Sequence, residues 1–507
     1  MALVLIGFMG AGKSTAAAEL ARRRGGRALD TDRMLEAELS ESIAAAFARE
    51  GESAFRAREE RTVLRALDGA GPRDAVALGG GAPTIPAVRT ALRTHTVTYL
   101  QLDADTAWRR VSTAPTVRPL ARDPVAFRAL HRSREPIYAA AADAYLPGDE
   151  RLDPMALDAA ASLPDRPPGT RLVWARAASG SHPVWVGRGL LRPGVDWGPG
   201  AGACWLVADE RVIDLHAARL PARAGELLLA AGEEHKTLDQ AQRVWRWLAE
   251  SGATRADAVV ALGGGVIGDL AGFCAATYQR GVPVVQVPTT LVAQVDSALG
   301  GKTGVDLPEA KNYVGAYHQP AEVLVDPELL ETLADAERAA GYAEVVKTAL
   351  IAGGSLWDRV RAGAAVDEQT IVGCVRTKLG VVARDERDTD SRQVLNLGHT
   401  IGHALETVTS YARLRHGEAV GLGLLACLRL SGAEALRSEV GALLAAAGLP
   451  VRLDGVDPEA VLLATRRDKK RLGPRVPFVL LAEPGCPQVG RDVADDAVRA
   501  AVEELTR

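Results

Sequence analysis

The apolar run LVLI at residues 3–6 passes directly into GFMGAGKS at residues 7–14, and AAAELARRR follows within a few residues. A buried strand, a glycine-rich turn and a helix in that order constrain the fold more tightly than any other feature of the chain. The glycines let successive backbone N–H groups curl around phosphate, and the start of a helix adds its dipole. The pattern predicts an α/β unit with a parallel sheet and a nucleoside triphosphate at the strand end. Gly10, Ala11, Gly12, Lys13, Ser14 and Thr15 are the expected ATP-binding residues; Lys13 reaches the terminal phosphates and Ser14 ligates magnesium.

At 507 residues the chain exceeds one ordinary core, and its pattern divides into three regions. Residues 1–163 alternate short apolar runs with alanine-rich amphipathic stretches. The segment SLPDRPPGT then carries three prolines and a glycine, which sustain neither helix nor central strand, so residues 164–170 are expected to link two parts. A second α/β stretch covers 171–330, and from 331 to 507 the apolar spacing turns helical, predicting an all-α region. With 47% hydrophobic and 24% charged residues and a net charge of −4, nothing argues for a nucleic-acid partner. The opening residues lack the basic lead of a signal peptide and are too short to span a membrane. Five scattered cysteines form no CxxC pair, which fits a reducing cytoplasm. Only eight of the 60 basic residues are lysine, and most of the eight fall within the motifs below, where a compact ammonium is chemically needed.

ALGGG occurs twice, at residues 77–81 and 261–265, but the flanks differ, APTIPAVR after the first and VIGDLAGF after the second. This predicts two unrelated ligand turns rather than a repeat. Around the first lie LDTD with Asp30 and Asp32, FRARE with Arg56, VRPL with Arg118, and REPIY with Arg134 and Tyr138. In this order and spacing they resemble shikimate kinase over essentially the whole first region. The resemblance implies that Asp30 helps Ser14 hold magnesium and that Asp32 binds the acceptor hydroxyl and takes its proton. It places Arg56 and Arg134 on the shikimate carboxylate, with Gly79, Gly80 and Gly81 admitting the ring close to bare backbone. Arg118 would lie on a lid over ATP. Lys13, Asp32 and Arg118 are the catalytic candidates of this site. Ala140 stands where the family often carries a glutamate.

The second copy extends to ALGGGVIGDLAGF after the strand-like DAVVAL, a turn suited to a dinucleotide pyrophosphate. Downstream, His399 and His403 in LNLGHTIGHALE share one helical face, and His416 and Glu344 add donors, a density that predicts a two-histidine, one-carboxylate zinc site. Arg280, Lys302, Lys311, Lys347, Lys378 and Arg392 concentrate cations that ask for an anionic substrate.

The run from YQRGVPVVQVPTT through GGKTGVDLPEAKNYVGAYHQP, with GYAEVVK and LNLGHTIGHALE, resembles 3-dehydroquinate synthase from about residue 171 to the end. The resemblance implies Glu344, His399 and His416 as ligands of zinc, or cobalt in its place. It implies NAD on Asp209, Glu233, Lys236, Gly264, Gly265, Val266, Ile267, Gly268, Asp269, Thr289, Thr290, Asp296, Lys302 and Lys311. Arg280, Asn312, Lys347, Lys378, Arg392, Asn396, His403 and Lys469 (rather than its neighbour Lys470) would contact the substrate, Arg280 from a partner subunit in a homodimer. Lys302, Lys347, Lys378 and His403 are the catalytic candidates. The implied reaction converts 3-deoxy-arabino-heptulosonate 7-phosphate to 3-dehydroquinate and phosphate, by transient oxidation, phosphate elimination, return of the hydride, ring opening and aldol closure. Two other readings share the second scaffold: a different sugar-phosphate cyclase, and a metal-dependent polyol dehydrogenase. The lysine-rich shell argues against an uncharged polyol, which would leave those charges unpaired.

Overall fold

The computed structural model describes residues 1–113, 123–148, 152–192, 202–216, 220–230, 232–466 and 477–506. Contacts divide the chain into two compact units, Met1–Trp174 and Ala175–Arg507. Both the second α/β stretch and the helical region belong to the second unit.

In the first unit, β1 (Leu3–Ile6), β2 (Ala28–Asp30), β3 (Ala75–Ala77), β4 (Thr96–Gln101) and β5 (Ala144–Pro147) form a parallel sheet in the order β2-β3-β1-β4-β5. All four residues of β1 are wholly buried, as a strand covered on both faces must be. The chain leaves β1 between strands that run to opposite sides, Leu3 pairing with Ala75 on one flank and Thr96 on the other. Such a switch point opens a crevice at the strand ends, and the glycine turn lies there. Residues 171–177 form β6, whose Leu172 and Val173 pair with Ala144 and Tyr145. The expected linker is thus partly ordered, with a 3-10 turn at Leu163–Asp165.

The second unit holds β7 (Gly180–Val186), β8 (Cys204–Asp209), β9 (Gly225–Leu229), β10 (Ala258–Gly263) and β11 (Val284–Pro288). Two strands paired as a hairpin, β12 (Lys302–Leu307) and β13 (Ala310–Tyr317), come next, and then β14 (Glu322–Val325). The parallel sheet runs β7-β14-β11-β10-β8-β9. The helices Asp335–Ala352, Glu368–Val382, His399–Val408 and His416–Leu430 follow. One expectation needs correcting: the last region is not all-α, because β15 (Phe478–Leu481) and β16 (Pro487–Arg491) pair as an antiparallel hairpin. A four-residue apolar run such as FVLL does not distinguish strand from helix by period.

The two ALGGG copies end differently. The first enters a 3-10 turn at Ala82–Thr84, the second the 13-residue helix Gly265–Thr277. Glycines also set how closely the later helices approach. A Cβ on Gly417 would collide with the Ala340 carbonyl, and one on Gly423 with the Gly398 carbonyl. Alanine raises helix propensity by about 1 kcal/mol over glycine, whereas overpacking against rigid backbone costs about 1–3 kcal/mol. Gly423→Ala should therefore lower the thermal unfolding midpoint, as followed by circular dichroism, instead of raising it as propensity alone requires.

Candidate functional sites

Gly7, Gly10 and Gly12 have φ of 147°, 83° and 85°, conformations that free the amides of the first turn to point inward. Gly12 caps the helix Lys13–Arg24 without any side-chain bond, so the helix N-terminus is open to an anion. Lys13 Nζ donates to the carbonyls of Gly7 at 3.0 Å and Phe8 at 3.1 Å, which folds the loop around the ammonium. Asp30 caps the helix Thr31–Leu39, its Oδ1 accepting from the amides of Asp32 and Arg33 at 3.0 and 3.2 Å. Arg110, which motif reading did not single out, donates to Gly10 O and Gly148 O at 3.0 and 2.6 Å, tying the turn to the end of β5.

The expected acceptor groups converge on the glycines of the first ALGGG. A Cβ at Gly79 would strike the Asp32 carboxylate and lie 2.9 Å from Glu59 Oε1, and a Cβ at Gly81 would strike the Arg56 guanidinium. Arg134 Nη1 and Tyr138 Oη both donate to Gly80 O, at 3.3 and 2.5 Å. None of the three has a positive φ, so at Gly79 and Gly81 glycine is required for close approach, whereas a Cβ on Gly80 would meet only ordinary contacts from 3.5 Å outward. Glu59 pairs with Arg56; burial raises its carboxyl pKa, with the Arg56 charge opposing. It was not among the expected site residues, although it ends the FRARE motif itself. Arg118 lies outside the described residues.

In the second unit, Gly264 caps the helix Gly265–Thr277, again with no side-chain cap. Cβ atoms on Gly264, Gly265 and Gly268 would stand 3.0, 2.9 and 2.8 Å from Thr290, Ser297 and Gln286, so bare backbone is needed along this edge. Ile267 is 1% exposed within the apolar core, which leaves only its backbone for a ligand. Asp209 at the end of β8 accepts from Arg211 N at 2.9 Å, and Thr289 N bonds Gly263 O at 2.9 Å. Lys236, expected to contact NAD, is 3% exposed. Its Nζ lies 2.8 Å from Glu233, 3.5 Å from Asp269 and 2.7 Å from Asn312 Oδ1, with Lys311 3.8 Å from Glu233. Burial pushes the Asp269 carboxyl up to about 6, against the pull of Lys236.

A second buried network surrounds Asp296. The wide π-turn Ala293–Ser297 presents both its carboxylate and its carbonyl to Lys378 Nζ, at 2.6 and 2.5 Å. Lys347, only 1% exposed, sits 4.0 Å from Asp296 Oδ2 and 2.5 Å from Glu344 Oε2. Burial, only partly offset by Asp296, pushes the Lys378 ammonium down to about 8. Arg392 is buried against Glu386 O and Gly300 O, while Lys302 is half exposed and pairs with Asp388 at 2.6 Å. Asn396 closes the 3-10 turn Ser391–Asn396 just ahead of the histidine helix. Arg280 (φ 69°) is exposed in the turn Tyr278–Arg280, and among the described residues nothing bonds its guanidinium. Lys469 and Lys470 lie outside the described residues.

Glu344, His399 and His416 each offer a donor atom within 4.8 Å of the others. Nε2 of both histidines lies 3.5 Å from Glu344 Oε1. Glu344 is 0% exposed, and neither carboxylate oxygen has a well-aligned hydrogen bond. Burial disfavours its charge, but Lys347 and His416 outweigh that and hold the carboxyl well below the usual range. A carboxylate kept ionised beside two imidazole nitrogens fits a divalent cation such as zinc. His403 lies beside them, its ring edge-to-face with His399 at 5.3 Å and tilted against His416 at 5.9 Å.

The first unit is thus built as a P-loop kinase, and the second joins a dinucleotide-type turn to a cluster of metal donors. Residues 9–161 match the model of the shikimate kinase family, 226–340 that of the 3-dehydroquinate synthase N-terminal domain and 341–471 that of its C-terminal domain. The 3-dehydroquinate synthase of Halorhodospira halophila is 42% identical over 345 residues, 65% of this chain and 98% of that protein. That of Symbiobacterium thermophilum is 41% identical over 355 residues, 64% and 98% of the two chains. Among solved structures, a 2-deoxy-scyllo-inosose synthase is 26% identical with a TM-score of 0.57, covering 66% of this chain and 99% of that one. A 2-epi-5-epi-valiolone synthase from Streptomyces hygroscopicus, solved with NAD+ and Zn2+ bound, is 25% identical with the same TM-score, covering 65% and 98%. The chain belongs to the 3-dehydroquinate synthase family and carries a shikimate kinase domain ahead of the synthase: a kinase and a lyase in one polypeptide.

Because Gly81 admits the Arg56 guanidinium, Gly81→Ala is expected to displace it. If Arg56 holds the shikimate carboxylate, as the resemblance implies, loss of that charge-assisted bond is worth about 1.5–3 kcal/mol and KM for shikimate should rise roughly tenfold or more. Initial-rate kinetics would check this, with the synthase rate as internal control.

Proposed function

We propose that the first unit phosphorylates shikimate from ATP and that the second converts 3-deoxy-arabino-heptulosonate 7-phosphate to 3-dehydroquinate and phosphate. In the first, the open amides of the Gly12–Lys13 turn and the Lys13 ammonium hold the phosphates, with Ser14 and Asp30 as ligands for magnesium. Asp32 accepts the proton of the acceptor hydroxyl, and Arg56 and Arg134 fix the shikimate carboxylate. The convergence of Asp32, Arg56 and Arg134 on Gly79–Gly81 supports that assignment.

In the second, bound NAD+ supplies a reversible hydride acceptor, and a divalent ion on Glu344, His399 and His416 supplies a Lewis acid for the substrate oxygens. The observation that carries this reading is the buried Glu344 carboxylate facing two imidazole nitrogens. The helix start at Gly265 offers open amides to a pyrophosphate. Lys347 and Lys378, anchored by Asp296, together with Arg392 and Lys302, hold the substrate's anionic groups, and His403 stands beside the donors to bind substrate oxygen. The 41–42% identity to named dehydroquinate synthases, against 25–26% to the inosose and valiolone synthases, favours the dehydroquinate reaction. We further propose a homodimer in which the exposed Arg280 reaches the partner's substrate phosphate; light scattering would show a monomer if this is wrong. Five free cysteines suit a reducing cytoplasm, and among the described residues no helix is long and apolar enough to cross a membrane.

Each substrate given separately should release ADP or inorganic phosphate respectively, and chelation should abolish phosphate release from the heptulosonate. Efficient cyclisation of sedoheptulose 7-phosphate, or net NADH accumulation with an alcohol, would reject the synthase assignment. Lys378 is protonated below about 8 and neutral above it. Synthase kcat/KM should therefore fall as pH rises through about 8, and Lys378→Arg, whose guanidinium stays charged, should move that limb upward even at reduced rate.

A further inference from the structure

The two donor histidines are oriented by different means. His399 Nδ1 lies 3.2 Å from the carbonyl of Leu397, an acceptor, so that nitrogen carries the hydrogen and Nε2 keeps its lone pair towards Glu344. Among the described residues no carbonyl accepts from a ring nitrogen of His416. Its Nδ1 lies 3.5 Å from Oε1 of Glu406, and its Nε2 the same distance from Glu344. Glu406 is 5% exposed and sits on the helix Val408 ends, seven residues after His399 and three after His403, so all three share a face.

We infer that Glu406 is a positioning residue for the metal site: it accepts Nδ1–H of His416 and so turns the Nε2 lone pair of that ring towards the ion. The inference rests on the metal-site reading above. Both nitrogens of His416 face a carboxylate at the same distance, but with a cation between Nε2 and Glu344 that nitrogen must give its lone pair, so the hydrogen lies on Nδ1, where the Glu406 carboxylate accepts it. A buried carboxylate is costly without a partner, and His416 is the side chain whose charge and ring face it most directly. His416 is partly exposed and begins its helix, so less packing fixes its ring than fixes that of His399, which is buried. His403, Glu406 and His416 also place donor atoms within 4.8 Å of one another. A second cation there would require His416 to lend both nitrogens at once, which a neutral imidazole cannot do.

The test is metal affinity of the full chain. Protein stripped by chelation is titrated with Zn2+ against a chromophoric competitor, for the wild type, Glu406→Ala and Glu406→Gln, and the visible spectra of the Co2+ forms are compared. Loss of such an outer partner weakens metal binding about 10–100-fold, which is expected for Glu406→Ala. Glu406→Gln, isosteric but uncharged, should weaken it roughly fivefold, since a charge-assisted bond becomes a neutral one. Both should shift the Co2+ spectrum. An unchanged Zn2+ Kd in either folded variant overturns the inference while leaving the metal site intact. Two ions bound by the wild type and one by the variants would also overturn it, in favour of a second cation at His403, Glu406 and His416. A wild type that binds no metal would instead reject the metal site itself, and this inference with it.

Discussion

The second unit is organised around one carboxylate that water cannot reach. Glu344 lies on the helix Asp335–Ala352 with no exposed surface, and a buried charge of that kind persists only if neighbours compensate it. Lys347 supplies the compensation from one turn along the same helix, and His399 and His416 bring their Nε2 atoms from two others. Those helices can come this near because glycine occupies the crossings, at Gly417 beneath Ala340 and at Gly423 beneath Gly398. Tight backbone packing and a polar interior are therefore one design: the first creates the dry space, and the second makes that space tolerable.

Charge balance continues outward. Asp296 joins Lys347 and Lys378, and Glu233, Asp269 and Asp306 surround Lys236. Each ammonium is held before any ligand arrives, so a bound anion meets fixed cations and little side-chain entropy is lost on binding. The first unit follows the same logic with less burial, since its Arg56 is braced by Glu59 and its Lys13 by loop carbonyls.

Much of the fold was legible from local pattern. The runs LVLI, VVAL and VVQV are strands because parallel sheets bury both faces and leave no alternation to read. The glycine turns announced themselves by composition, and His399 and His403 by their four-residue spacing. Glu406 and Arg110 were not legible, because each acts on a partner brought near by folding: Glu406 meets His416 from another helix, and Arg110 meets carbonyls 100 and 38 residues away. The depth of Lys236 and Lys347, 3% and 1% exposed, was not legible either, because sequence reports a residue's charge and not its burial. The β15–β16 hairpin was missed for want of length.

Taken alone, the sequence determined which backbone stretches must be bare, which helices carry imidazoles, and that two different glycine-rich strand-end turns are present. These follow from covalent chemistry and short-range periodicity. Tertiary structure alone decided which charges face one another: that Glu344 stands between two imidazoles, that Asp296 takes two lysines, and that glycine is needed at 79 and 81 for room and at 10 and 12 for backbone angle. The reason is that electrostatic partnership depends on distance and burial in space, and neither is set until helices distant along the chain have packed.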